Sequence, residues 1–79
     1  MAVTLVFLGR LEDLAGGPER QVPVGALAAV IAGLEPNLAE AVSAPRIRVA
    51  VNGALVAAGE SPVLAEGDEV AFLPPVSGG

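Results

Sequence analysis

The chain has 79 residues, 53% of them hydrophobic and 16% charged, which suits one small domain and is too apolar for a disordered segment. Its net charge is −5, with four Arg, no Lys and two Phe as its only aromatics, so it lacks the clustered cations and stacking side chains on which nucleic-acid binding depends. It has no Cys and no His, which excludes thiol nucleophiles, imidazole bases, thiolate-held clusters and zinc sites built on those ligands.

The apolar runs are short, 3–8 broken by Thr4 and 27–32, and neither is long enough to span a bilayer. No signal-peptide pattern precedes them, and a soluble cytoplasmic protein with no membrane partner is expected. The acidic carboxylates are scattered and show no calcium-loop spacing. The acidic surface reads either as a match for a basic groove or as solubility alone.

In chain order, residues 3–8 predict a first strand, rich in β-branched and aromatic residues. With Thr4 facing out, Val3, Leu5 and Phe7 take one face and Val6 and Leu8 the other. Leu11, Leu14 and Ala15 follow, and Gly16-Gly17-Pro18 marks a turn. Residues 19–23 predict a short strand at an edge, because Pro23 has no N–H for a ladder. Residues 24–34 predict a helix, with Leu27, Val30, Ile31 and Leu34 on one stripe and a weak cap at Gly25. Pro36 stops or restarts that helix, and 37–42 has room for a further turn or two.

Residues 46–52 give the clearest strand signal, with Ile47, Val49 and Val51 alternating against Arg46, Arg48 and Ala50. Asn52-Gly53 predicts a tight hairpin, and 55–57 a short return strand. Residues 59–65 read as a connector and Glu66-Gly67-Asp68 as a turn. Residues 69–73 predict the last strand, with Val70 and Phe72 on one face and Ala71 and Leu73 on the other.

One main helix packed across a mixed sheet is an α+β layering and matches the ubiquitin-like β-grasp architecture. The expected division is a β-grasp domain over 1–73 and an extended tail over 74–79. The expected core is Leu5, Phe7, Leu27, Ile31, Leu34, Ile47, Val49, Val51, Val70 and Phe72. A sheet with helices on one side should be polar on the other, yet Val6, Leu8, Ala71 and Leu73 are apolar. They form a protein-binding surface, or loops cover them, or one strand's register is inverted.

The tail carries the functional signal. At about 7% Gly usage a Gly-Gly ending arises by chance in roughly one chain in 200, and many termini are inert. Here Pro74-Pro75 favours an extended start that cannot continue the sheet, and Gly78-Gly79 can thread a narrow channel. Six extended residues reach about 20 Å. The last carboxylate is ionised at neutral pH and resists nucleophiles, so it must first be activated, for example as an acyl-adenylate. A partner's persulfide sulfur can then yield a thiocarboxylate. With no Lys and no Cys, the chain holds no side-chain amine or thiol to intercept its own activated end.

Residues 49–53, 67–73 and the ending Pro74-Pro75-Val76-Ser77-Gly78-Gly79 resemble the small, sulfur-carrying subunit of molybdopterin synthase, as do residues 7–16. The resemblance covers nearly the whole chain, and its specific part is the Pro-Pro-Val-Ser-Gly-Gly ending. It implies that a ubiquitin-activating-like adenylyltransferase uses ATP and magnesium to adenylate Gly79, and that a persulfide donor supplies sulfur. This chain itself would bind no cofactor or metal. The tail would enter the large synthase subunit, in a heterotetramer, and donate sulfur to cyclic pyranopterin monophosphate during molybdenum cofactor synthesis. On that resemblance Gly78 and Gly79 are the reactive and threading residues. Pro74, Pro75, Val76 and Ser77 line the insertion path, and Leu8, Arg10, Phe72 and Leu73 dock the partner. The alternatives are a sulfur carrier for thiamin thiazole, tRNA thiolation or cysteine synthesis, a ubiquitin-like protein modifier, and an interaction domain with an inert tail. The family departs from this sequence in its helix region, which here is Ala-rich and weakly capped.

Overall fold

Val3, Leu5 and Phe7 have no exposed surface, and the strand that carries them, β1 (Ala2–Phe7), follows the predicted alternation in full. The computed structural model describes residues 1–57 and 59–75. β1 is followed by α1 (Arg10–Ala15), β2 (Glu19–Pro23), β3 (Gly25–Ala26), α2 (Leu27–Ala32) and α3 (Pro36–Val42). Then come β4 (Arg48–Val51), β5 (Ala54–Leu55), β6 (Val63–Leu64) and β7 (Glu69–Leu73). Five strands form one sheet in the order β2-β1-β7-β4-β5, and β3 pairs with β6 apart from it. β1 and β7 run parallel at its centre, and the remaining pairs are antiparallel. This is the mixed sheet of the ubiquitin-like β-grasp fold. Among the described residues, no helix is long and apolar enough to cross a membrane.

The core lies on one face of the sheet. Val3, Leu5, Phe7, Val70 and Phe72 meet Leu11 of α1, Leu27 and Val30 of α2, Leu34, and Leu38 and Val42 of α3. Phe7 and Phe72 face each other across the parallel pair, and their rings stack with centroids 5.5 Å apart. Each buried ring of this kind contributes about 1.5–3 kcal/mol of burial free energy.

The hairpin strands are Arg48–Val51 rather than 46–52 and Ala54–Leu55 rather than 55–57, and three further local features differ from expectation. The first is α1, six residues long, where only a turn was expected. Its buried side chain is Leu11, with Ala15 packed partly against the core, and it ends at Gly16, whose φ of 81° lets the N–H groups of Gly16 and Gly17 both donate to the Glu12 carbonyl. The second is the start of the main helix, which begins at Leu27 rather than Val24, with Ala26 and not Gly25 at the cap position. Gly25 instead holds β3 with a φ of 155°, pairing with Leu64. The weak cap is made good from elsewhere in the chain. The Leu27 N–H donates to the Pro62 carbonyl at 2.9 Å, and the Ala28 N–H donates to the Ser61 hydroxyl at 2.9 Å. Residues 59–65, expected as a plain connector, therefore supply both β6 and the helix cap.

The third difference is in β4. Ile47, Val49 and Val51 pack on the core but stay half-buried. Helix α2 is six residues long and leaves an open groove over them, lined by Leu27, Ile31, Val49 and Val56. Pro36 restarts the chain as α3, where its missing N–H costs nothing at the first helical position. Asn52 and Gly53 both take positive φ, 50° and 85°, as the hairpin requires.

Candidate functional site

The face of the sheet opposite the core carries no helix, because the buried residues of α1, α2 and α3 all belong to the single core. Strand register makes this open face readable row by row. One row runs Val6, Ala71, Ala50 and Leu55 across β1, β7, β4 and β5. The next row toward the end of β7 pairs Leu73 with Arg48. Leu8 lies just past the end of β1 and is 41% exposed. In the opposite direction the face turns polar, with Thr4 beside Glu69 and the Gln21 amide donating to the Thr4 hydroxyl at 2.7 Å. The apolar half of the open face is thus the half nearest the tail.

Val6, Leu8, Ala71 and Leu73 share the open face as their alternation predicts, so no register is inverted. Phe72, expected at the docking surface, is not available there. Its side chain has no exposed surface and is stacked on Phe7 inside the core, because it points to the opposite face from Leu73. Ala50 and Leu55 belong to the open-face row and were not singled out from the sequence. The hairpin at Asn52-Gly53 was signal enough, since a two-residue turn pairs Val51 with Ala54 and Ala50 with Leu55.

β7 delivers the chain to the tail. Leu73 is half-buried, Pro74 is half-buried, and Pro75 is exposed. Gly9 stands against Pro74, and a Cβ placed on Gly9 would lie 3.1 Å from Pro74 Cγ. Gly9 also has φ 58° and ψ −132°, a region that side-chain-bearing residues avoid. Only glycine gives the turn after β1 this close approach to the tail root. In the sequence the sign of this turn is a lone Gly between a strand and a charged stretch. Arg10 follows directly and is exposed. Val76, Ser77, Gly78 and Gly79 lie outside the described residues.

The entry to β7 is braced at its other end. The Asn52 side chain donates to Asp68 Oδ1 at 3.0 Å and accepts the Glu69 N–H at 2.9 Å. Asp68 Oδ2 accepts the Ala65 N–H at 2.8 Å. The Ala65 N–H, followed by the Asn52 amide, holds the Asp68 carboxyl below its ordinary pKa. A carboxyl with a depressed folded-state pKa adds stability that is complete above its unfolded value and is lost as pH falls through the folded value. The stability difference between wild type and Asp68→Asn should therefore be largest near neutral pH and shrink as the solution is taken below about 3.9. Urea midpoints measured at neutral and acid pH check this, and a constant difference would remove Asp68 from the brace.

On the helical side, Arg20 ties three elements together. Its guanidinium meets Glu35 Oε1 at 2.6 Å, donates to the Ala15 carbonyl at 2.8 Å and lies 5.9 Å from the centre of the Phe7 ring. The hydrogen bond with Glu35 raises the Arg20 pKa, and the same bond lowers that of Glu35. Among the described residues no polar or charged side chain is buried, and no group of His, Cys, Asp or Glu could hold a metal ion. The described side chains thus present an apolar half-face of the sheet beside the end of β7, from which the chain continues to Pro74 and Pro75.

The ThiS family model matches residues 5–79. Among solved structures, the chain is similar to small archaeal modifier protein 1 from Haloferax volcanii, with 28% identity over 100% of both chains and a TM-score of 0.79. It is also similar to a chain from the complex of subunits 1 and 2 of molybdopterin-converting factor from Helicobacter pylori, with 26% identity over 100% of both chains and a TM-score of 0.73. Small archaeal modifier protein 1 from Methanosarcina acetivorans shares the fold, with 24% identity, coverage of 99% and 96%, and a TM-score of 0.78. No curated protein matches in sequence.

Proposed function

The chain belongs to the ThiS family, and from that premise we propose that it carries sulfur on the α-carboxylate of Gly79 for molybdopterin synthesis. The carboxylate attacks the α-phosphorus of ATP on an adenylating partner and expels pyrophosphate. A partner persulfide attacks the resulting acyl-adenylate and expels AMP. A second thiol attacks the partner cysteine's own sulfur in the acyl disulfide, forming a disulfide with it and leaving the transferred sulfur on Gly79 as the thiocarboxylate. The tail then enters the large subunit of molybdopterin synthase, where the sulfur passes to cyclic pyranopterin monophosphate.

The observation that carries this reading is the pairing of the Pro74-Pro75-Val76-Ser77-Gly78-Gly79 ending with an apolar open face at the root of that ending. The likeness to a chain of a two-subunit molybdopterin-converting factor supports a large-subunit partner. The likeness to a modifier protein favours a second reading, in which a lysine amine of a target attacks the activated Gly79. Both readings share the activated terminus and differ in the nucleophile. Supplying the thiocarboxylated chain to the organism's large subunit separates them. Conversion of cyclic pyranopterin monophosphate supports the synthase reading. No conversion, together with adducts on lysines of other proteins, would falsify it.

The docking face has its own test. Leu73→Arg should leave the fold intact, because Leu73 lies on the open face. It should weaken binding to the large subunit by about 2 kcal/mol or more, as expected for an unpaired charge forced into the centre of an interface. Titration calorimetry measures the change, and an unaltered affinity would mean that the partner sits on another face.

A further inference from the structure

Arg20 is engaged with Glu35 and Ala15, but the other three arginines are exposed and make no side-chain hydrogen bond or ion pair among the described residues. All three lie at one end of the sheet. Arg48 is the register partner of Leu73, the residue before Pro74. Arg46 lies two residues before Arg48, where the chain enters β4. Arg10 directly follows Gly9, which stands against Pro74. The parallel pairing of β1 with β7 and the antiparallel pairing of β7 with β4 bring these points together around the tail root. Negative charge flanks them, with Glu19 on the outer strand β2, Glu12 and Asp13 farther along α1, and Glu60, which accepts the Ala57 N–H past β5 and lines the same groove as Arg48. In a chain of net charge −5, the cations are thus gathered beside the apolar row and the tail.

We propose that Arg46 and Arg48, with Arg10 across the tail root, form a basic rim that receives Asp and Glu side chains of the protein into which the tail inserts. This rests on the carrier reading, since it requires that the tail be inserted. Rim charges of this kind speed encounter and fix orientation rather than supply most of the affinity. Arg46 and Arg48 stand on the β4 side of the root and Glu19 on the β2 side, so a partner with acidic residues over the start of β4 is favoured in one orientation, with Glu60 setting the outer limit of the rim. A nucleotide phosphate is the other anion on offer, but the geometry disfavours it. Activation occurs at Gly79, and an extended tail carries that carboxylate about 20 Å from the root, beyond the reach of an arginine fixed there.

The test uses the full chain and the organism's own counterpart of molybdopterin-converting factor subunit 2, with association rate and affinity followed at low and high salt. Arg46→Glu/Arg48→Glu should fold as wild type does, as judged by circular dichroism. It should lose about tenfold or more in affinity at low salt, mainly in association rate. The gap should close near 1 M salt, where the screening length falls to about 3 Å. Arg46→Lys/Arg48→Lys keeps the charge and should stay within about threefold of wild type. Charge-reversed protein that binds as wild type does, or a loss that ignores salt, overturns the rim and leaves the carrier reading standing. Wild type that fails to bind overturns both. ATP alone binding to the free chain, with that binding lost on charge reversal, would reassign the rim to a phosphate and overturn the proposal.

Discussion

A chain lacking Gly79 should fold as the full chain does and transfer no sulfur. The core residues run from Val3 to Phe72, so the deletion removes none of them. The deletion leaves a carboxylate on Gly78, but about 3.5 Å short of its former reach. A misplacement of about 1 Å already costs on the order of a hundredfold where reacting groups must be aligned. A shift several times larger should take transfer below detection. The check is molybdopterin formation from cyclic pyranopterin monophosphate, run beside a urea titration. Unchanged stability with no product is the expected result. Product at the wild-type rate would mean that sulfur is not loaded at the last residue.

The second large effect is structural. Phe72→Ala should destabilise the domain by about 3–5 kcal/mol, the usual cost of emptying a buried aromatic site. Phe72 is fully buried on the middle strand of the sheet and stacks on Phe7, so its loss opens a cavity in the core where β1, β7 and the helices meet. At about 0.05–0.15 kcal/mol per residue, a chain of this length has little stability to spare. Much of the variant should be unfolded at physiological temperature. Leu73→Arg, one residue along but on the other face, should do the reverse and spare the fold while harming docking. Urea unfolding of both variants tests the pair. A Phe72→Ala loss under about 1 kcal/mol would contradict the strand register on which the open face depends.

Much of the fold was legible where periodicity had room to show. β1 and β7 are long enough for alternation, and Asn52-Gly53 demands positive φ wherever it falls in a hairpin. What was not legible was short or non-local. Helix α1 spans less than two turns and has Leu11 as its one fully buried side chain. The pairing of β3 with β6 involves two residues on each side, too few to leave a pattern. The cap on α2 comes from Ser61 and Pro62, more than thirty positions away, which no local rule anticipates.

The candidate site divides in the same way. The reading of the tail rests on its residue types, with 76–79 outside the described residues, while Leu8 and Leu73 reach the open face as alternation predicts. Phe72 was expected both in the core and in the docking surface, and a strand residue can point to only one face. Gly9 and the Arg46–Arg48 side of the root became visible once strand order was known, because residues distant in sequence meet Pro74 and Leu73 only through the pairing of β1, β7 and β4.

The central claim is that sulfur resides on the acyl carbon of Gly79, and intact mass spectrometry of the protein isolated from its own cells tests it most directly. The account predicts a species heavier by the exchange of one oxygen for one sulfur, with fragmentation placing the change on the last residue. A terminus that stays an ordinary carboxylate, even after incubation with the adenylating partner, ATP and a persulfide donor, would contradict it.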